Sequence, residues 1–183
     1  ARGAATLIRQ SAKDRHALEW VTKAPTDFVS TVDLAAEEAI VAHLHAHFPR
    51  ATIVAEERSP TAAMQSGLVF VVDPLDGTTN FLHGFPHYAV SIAAMQDGVL
   101  QAGVVWNVER SEVYTAVRGG GAYCGHERIQ VSPAREMTRV LLGTGFPFRQ
   151  NDAIESYLDQ LRRVIPKVGG IRRAGSAALD LAD

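Results

Sequence analysis

The apolar run Leu68-Val69-Phe70-Val71-Val72 ends directly in Asp73-Pro74-Leu75-Asp76-Gly77-Thr78-Thr79-Asn80. Five residues that are mostly β-branched or aromatic suit a strand buried on both faces. Such a strand restricts the chain to folds with a covered sheet, and open α/β sheets gather their ligands at the carboxyl ends of strands. Pro74 fixes its own φ and pushes Asp73 toward an extended conformation, so the first acid is held. Gly77 permits a tight turn and a close backbone approach to a ligand. Thr78 and Thr79 stand where a short helix would open, with N–H groups and a positive dipole end that favour phosphate.

The two acids call for a counter-charge. Two carboxylates about 4 Å apart at an effective dielectric near 20 repel by roughly 4 kcal/mol. Unless one stays protonated, a cation belongs between them. Oxygen donors with no Cys or His nearby suit a hard ion such as Mg²⁺ rather than Zn²⁺. The plainer alternative is a surface turn with an Asp cap, but a plain turn does not need two acids, a glycine and two hydroxyls behind a buried strand. Upstream, Thr52-Ile53-Val54-Ala55 reads as a second short strand running into Glu56-Glu57. If the two strands are neighbours, Glu56 or Glu57 arrives beside Asp73. Alone, the Glu pair is a solvated loop.

With these two elements the chain resembles the inositol monophosphatase family, the bacterial inositol-1-monophosphatases most of all. That family carries a D-P-[IL]-D-G-T-T-N segment, an upstream Glu pair, a K-x(3,4)-D-x-V-[ST]-x-x-D element before it and a later G-[ST]-A-A segment. The counterparts here are Lys23 to Asp33, Glu56-Glu57, residues 73–80, Thr144-Gly145-Phe146-Pro147-Phe148 and Gly175-Ser176-Ala177-Ala178-Leu179-Asp180-Leu181. The likeness is collinear from near residue 1 to the last residue.

The resemblance implies a layered α-β-α-β-α sandwich of the sugar-phosphatase type. It makes Glu56, Asp73, Asp76 and the Leu75 carbonyl metal ligands for two or three Mg²⁺ ions. Thr78 resembles the hydroxyl that orients the attacking water and Asp33 the acid behind it, so Asp33, Glu56 and Thr78 form the implied catalytic set. Gly77 and Thr78 match the N–H groups that receive phosphate. Gly175, Ser176 and Ala177 match the segment that meets the alcohol part of the substrate, and Lys23 matches a position near the phosphate end. The implied reaction is metal-assisted hydrolysis of a small phosphate monoester, with no covalent intermediate. Relatives act on inositol phosphates, histidinol phosphate, fructose bisphosphate and adenosine bisphosphate, and the resemblance favours inositol 1-phosphate. Lithium sensitivity and a homodimer are further family expectations.

One departure stands against this agreement. The family carries a Trp-Asp element well after G-[ST]-A-A whose Asp completes the metal site, and a further acid between the two that meets substrate. The chain stops at Asp183 with neither, so the reading is of a partial chain with an incomplete second half and weak or absent activity. The start at Ala1-Arg2-Gly3 also reads as clipped.

The remaining sequence bounds the alternatives. At 183 residues with a net charge of −2, nothing pulls the chain generally toward nucleic acid or membrane. A single cysteine, Cys124, excludes an internal disulfide and fits a reducing cytoplasm. No apolar run approaches the ~18 residues of a membrane span.

Helical spacing covers 4–22 and 33–48, the second with Asp33 as its cap. Strands are expected at 51–55, 68–72, 88–96, 99–107, 111–118 and 138–143, with a hairpin at Asp97-Gly98. A helix near 152–164, a strand near 168–173 and a helix from 176 follow. A boundary near Pro133-Ala134 divides a metal- and phosphate-binding half, 1–134, from the start of a second half, 135–183.

Other features invite and fail competing readings. His43, His45 and His47 look like a metal cluster, but only His43 and His47 share a helical face, and surface histidines near a helix end are the simpler account. Gly119-Gly120-Gly121 lacks the Lys and hydroxyl of a phosphate loop and reads as a hairpin turn. Arg162, Arg163, Lys167, Arg172 and Arg173 form a basic run, of which Arg172 and Arg173 precede Gly175 closely enough to reach a substrate rim or a subunit contact. His83, Phe85 and Pro86 are expected to wall the acid loop. Aspartyl-nucleophile phosphatases place two acids two apart, whereas Asp73 and Asp76 are three apart across Pro74. A metal- or phosphate-binding regulatory protein without turnover is the rival of a different class.

Overall fold

A computed structural model describes residues 1–18, 20–24, 27–57, 66–147 and 153–183. Helix α1 (Arg2–Ser11) buries Ala4, Ala5 and Ile8, one face at helical spacing. The helix expected over 4–22 ends at Ser11. A 3₁₀ stretch follows (Ala12–Ala17), broken at Asp14, and then strand β1 (Trp20–Ala24) pairs with β2 (Asp27–Ser30). Val21 and Thr22 are β-branched, and cross-strand pairing overrides their place in the helical pattern.

Helix α2 (Thr31–His47) starts two residues before its expected position because Ser30, not Asp33, is its cap. The Ser30 side chain accepts from the N–H groups of Val32 and Asp33, and the Asp33 carboxylate reaches back to the Ser30 N–H, a complete capping box. Val32, Ala36, Ile40 and Leu44 recur every four residues and face the core. On its exposed side the His43 and His47 rings lie 4.4 Å apart, one turn from each other.

Strands β3 (Thr52–Ala55), β4 (Leu68–Asp76), β5 (Ala89–Gln96), β6 (Val99–Asn107), β7 (Glu112–Val117), β8 (Gly121–Cys124) and β9 (Glu127–Ile129) form one sheet in sequence order, with short helix α3 (Thr78–His83) between β4 and β5. Only β3 and β4 run parallel. Val69 and Phe70 point to opposite faces of β4 and both are buried, as a doubly covered strand requires. Asp97 and Gly98, both at positive φ, make the expected hairpin turn. Strands β8 and β9, four and three residues long, are too short to register in a periodicity.

After the sheet come a short β10 (Leu141–Gly143), α4 (Ile154–Val164), β11 (Gly170–Arg172) and α5 (Ala177–Ala182). Of the strand expected over 138–143, residues 138 and 139 fall instead in a 3₁₀ turn, Met137–Arg139. Strands β10 and β11 pair in parallel as a separate two-stranded sheet. The first residue expected for α4, 152, lies outside the described residues. The core gathers α1, α2, β4, α3 and β5, with Phe70, Leu75, Phe81 and Tyr88 at its centre. The chain is a mixed α/β fold built on a central sheet, as its sequence implies. No helix among the described residues is long and apolar enough to cross a membrane.

Candidate active site

The parallel register sets Ala55 opposite Val72, and the Glu56 N–H donates to the Val72 carbonyl at 3.2 Å. Glu56 therefore leaves β3 beside Asp73, the outcome the sequence made conditional on strand pairing. The pairing of β4 with β5 slips by one residue here: Asp73 faces Ser91 and Asp76 faces Ala89. This is a β-bulge at Pro74 and Leu75, where a proline is tolerated because the ladder is already interrupted. In a regular strand, residues three apart point to opposite faces. The extra residue cancels that alternation, so both acids reach one cleft.

That cleft, about 170 Å³, is lined by Phe28, Glu56, Asp73, Leu75, Asp76, Gly77, Thr78, Thr79, Arg173 and Gly175. Burial pushes the Asp73 carboxyl up to about 9, helped by the charges of Glu56 and Asp76 and by a hydrogen bond to Glu56. The Leu75 N–H, 3.1 Å from Asp73 Oδ1, works in the other direction and does not win. Three crowded carboxylates and a backbone carbonyl are an oxygen-only donor set, which fits a hard divalent cation. The set is not closed, since among the described residues no three acidic, His or Cys side chains converge as a ready-made metal cage. Asp76 turns one oxygen elsewhere: Oδ2 accepts from Ser176 Oγ at 2.6 Å and from the Ala178 N–H at 2.7 Å.

Behind the acids lies a second carboxylate system. The Thr78 hydroxyl is 2.8 Å from Asp33 Oδ1 and 3.0 Å from the Leu75 carbonyl, both of which can accept its proton. Asp33 is 1% exposed, and its Oδ2 accepts from the Ser30 N–H and the Ser30 hydroxyl. The capping box of α2 thus doubles as the clamp that aims Asp33 at Thr78. One turn along α2, fully buried Glu37 accepts the Glu57 N–H at 2.8 Å through Oε2 and fixes the turn that carries Glu56. Asp33 and Glu37 are four apart on one helical face. That spacing, on a face otherwise apolar, was the available signal for Glu37.

Gly77 holds φ +96° and caps α3, and a Cβ there would lie 3.0 Å from the His87 carbonyl. Asn80, nearly buried, donates from Nδ2 to the carbonyls of His87 and Ala174 at 2.7 and 2.8 Å. It ties α3 to the chain just before Gly175. His87 in turn places Nε2 3.5 Å from Asp180 Oδ1. Sequence reading gave no role to Asn80, His87 or Asp180, whose partners lie about 90 residues away.

A larger neighbouring cleft, about 450 Å³, shares Asp76, Arg173 and Gly175 with the first and adds residues 143–146, Ser176, Ala177, Asp180 and Leu181. Gly175 lines both clefts and Ala177 the larger one, while Ser176 is 0% exposed and spends its hydroxyl on Asp76. Arg173 reaches both clefts, with its guanidinium 5.5 Å from the Phe146 ring centre. Arg172 turns to its neighbour's carbonyl at Ile171. His83, Phe85 and Pro86, expected as walls, line neither cleft. The backbone of Lys23 lies in β1, but its side chain is outside the described residues, as are Pro25, Thr26 and Phe148.

Comparison with known proteins adds four likenesses. The sequence profile of the inositol monophosphatase family matches residues 1–183. A Pseudomonas aeruginosa protein named Nus factor SuhB is 44% identical over 186 residues, covering 100% of this chain and 69% of its own length. Among solved structures, the extragenic suppressor protein suhB from Bartonella henselae superposes with a TM-score of 0.91 at 38% identity, covering 98% of this chain and 69% of that one. The inositol monophosphatase from Anabaena (Nostoc) gives 0.84 at 30% identity, covering 100% and 66%.

Proposed function

The chain belongs to the inositol monophosphatase family, and from that premise we propose that it hydrolyses a small phosphate monoester, inositol 1-phosphate before others. Glu56, Asp73, Asp76 and the Leu75 carbonyl would hold Mg²⁺. When bound, Mg²⁺ supplies the charge that offsets the phosphate and acidifies the attacking water. The observation that carries the reading is the 2.8 Å contact from Thr78 Oγ1 to buried Asp33 at the edge of the acid cleft. With its proton committed to Asp33, the Thr78 oxygen is an acceptor aimed at a water in the cleft. Thr78 orients that water and Asp33 holds the hydroxyl in place. Gly77 and Thr78 receive the phosphate at the start of α3, and Gly175 and Ala177 face the alcohol in the larger cleft. Water attacks phosphorus, the bond from phosphorus to the ester oxygen breaks, and the alcohol leaves with a proton. In this reading residues 1–134 carry the metal and phosphate chemistry and 135–183 begin the substrate wall.

The test is phosphate release from inositol 1-phosphate, with fructose 1,6-bisphosphate and histidinol phosphate alongside. Release should require Mg²⁺, stop with chelator and fall with lithium. Mg²⁺ binding without turnover of any ester would overturn the reading and favour a second one, a metal- and phosphate-binding regulatory protein on the same scaffold. The specific observation behind that second reading is the name Nus factor carried by the Pseudomonas relative. A homodimer belongs to the same proposal, and light scattering reads it directly.

A further inference from the structure

Asp76 occupies two roles that compete for its oxygens. It lines the acid cleft on one side, and on the other its Oδ2 receives two hydrogen bonds from residues 100 and 102 positions later, Ser176 Oγ and the Ala178 N–H. Ser176 is fully buried and also accepts the Leu179 N–H at 3.4 Å, so its hydroxyl hydrogen is directed at Asp76. Ser176 borders the larger cleft, but its hydroxyl is committed to Asp76. We infer that Ser176 is a positioning residue for the metal site: it pins Oδ2 of Asp76 against α5 and leaves Oδ1 as the oxygen offered to the cation.

The inference rests on Asp76 being a metal ligand. Outer partners of ligating carboxylates fix the ligand's orientation, and their removal weakens metal binding by about 10- to 100-fold. Two opposing effects decide the sign. Loss of a donor makes Asp76 a slightly more basic ligand, which favours the cation. It also frees the carboxylate to rotate away from the cleft, which disfavours it. The second effect dominates because the Ala178 N–H still withdraws charge from Oδ2 in the absence of Ser176. The consequence is coupling: movement of 174–180 against the acid loop changes cation affinity as well as the alcohol cleft.

Calorimetric titration of the whole chain with Mg²⁺ tests this, using wild type, Ser176→Ala and Ser176→Thr. Ser176→Ala should bind about 10- to 100-fold more weakly, and Ser176→Thr, which keeps the hydroxyl, should stay within about threefold of wild type. Ser176→Cys fills the same space with a weak donor and gives the same comparison if the alanine form does not fold. Introduced on top of Asp76→Asn, Ser176→Ala should change Mg²⁺ affinity no further, because the residue acts through the acid. Equal affinity in wild type and Ser176→Ala, or a threonine form as weak as the alanine form, overturns the positioning role alone. Failure of the wild-type chain to bind Mg²⁺ overturns the metal assignment of Asp76 and the inference with it.

Discussion

The acid loop at 73–80 and the segment at 174–180 face each other across the same clefts but are held by different means. The loop grows out of the core: Val72, Leu75 and Phe81 are buried, and Asp33 backs it from α2. From residue 137 onward, only Ser176 and Leu179 are buried among the described residues. The second segment is instead attached through polar contacts, Asp76 to Ser176 and Ala178, Asn80 to Ala174, and His87 to Asp180. Apolar packing thus holds the acid loop, and hydrogen bonds fasten the second segment to it.

The largest effects should come from breaking the rigid side. Asp73→Asn is expected to lower turnover by about 10³-fold or more, the scale of several kcal/mol of lost charge stabilisation. The same change should stabilise the metal-free fold at alkaline pH. With a folded pKa of about 9 against 3.8 for the free side chain, Asp73 keeps a proton that the unfolded chain releases. Its contribution is intact below pH 4 and is lost progressively as pH rises toward 9. Melting curves in chelator should therefore show wild type falling relative to Asp73→Asn across that window. Parallel curves would sink the burial argument.

Thr78→Val keeps shape and removes the hydroxyl, and should reduce kcat by about 10²-fold with little change in KM. A proportional rise in KM instead would make Thr78 a binding residue. Gly77→Ala forces a Cβ against the His87 carbonyl at positive φ and should destabilise by about 1–3 kcal/mol in denaturant unfolding. Asn80→Ala attacks the joint between the regions. It should cost about 1–2 kcal/mol and raise KM, since it releases the segment that Asn80 holds at Ala174. The smallest effect should be Asp180→Asn, below about 1 kcal/mol for a partly exposed pair 3.5 Å apart. If Asp180→Asn cost more than Asn80→Ala, the His87 contact rather than the amide would be the main fastening.

The rigid side was the legible side. Its strand, turn and acids are adjacent in sequence, and propensity and charge repulsion act over short distances, so the residues at 73–80 announced themselves. Glu56 was readable once strand pairing was granted. Ser30 was missed because Asp33 is also a good cap, and only the reciprocal bonds show which of the two fills that position. Residues 20–22 continued a helical pattern and formed a strand because β2 was there to pair with them. Asn80, His87 and Ser176 depend on partners far along the chain, which no local pattern encodes.

The bonds from Asp76 to Ser176 and Ala178 bridge about a hundred residues, yet polymer statistics make that distance cheap. Closing a flexible loop grows more costly only with the logarithm of its length, about 0.6 kcal/mol for each doubling. An insertion that doubled the intervening chain would therefore weaken this closure by less than one ordinary hydrogen bond. What fixes the two sides of the cleft is the shape of their meeting, so the stretch between them is free to lengthen, shorten or acquire new surface.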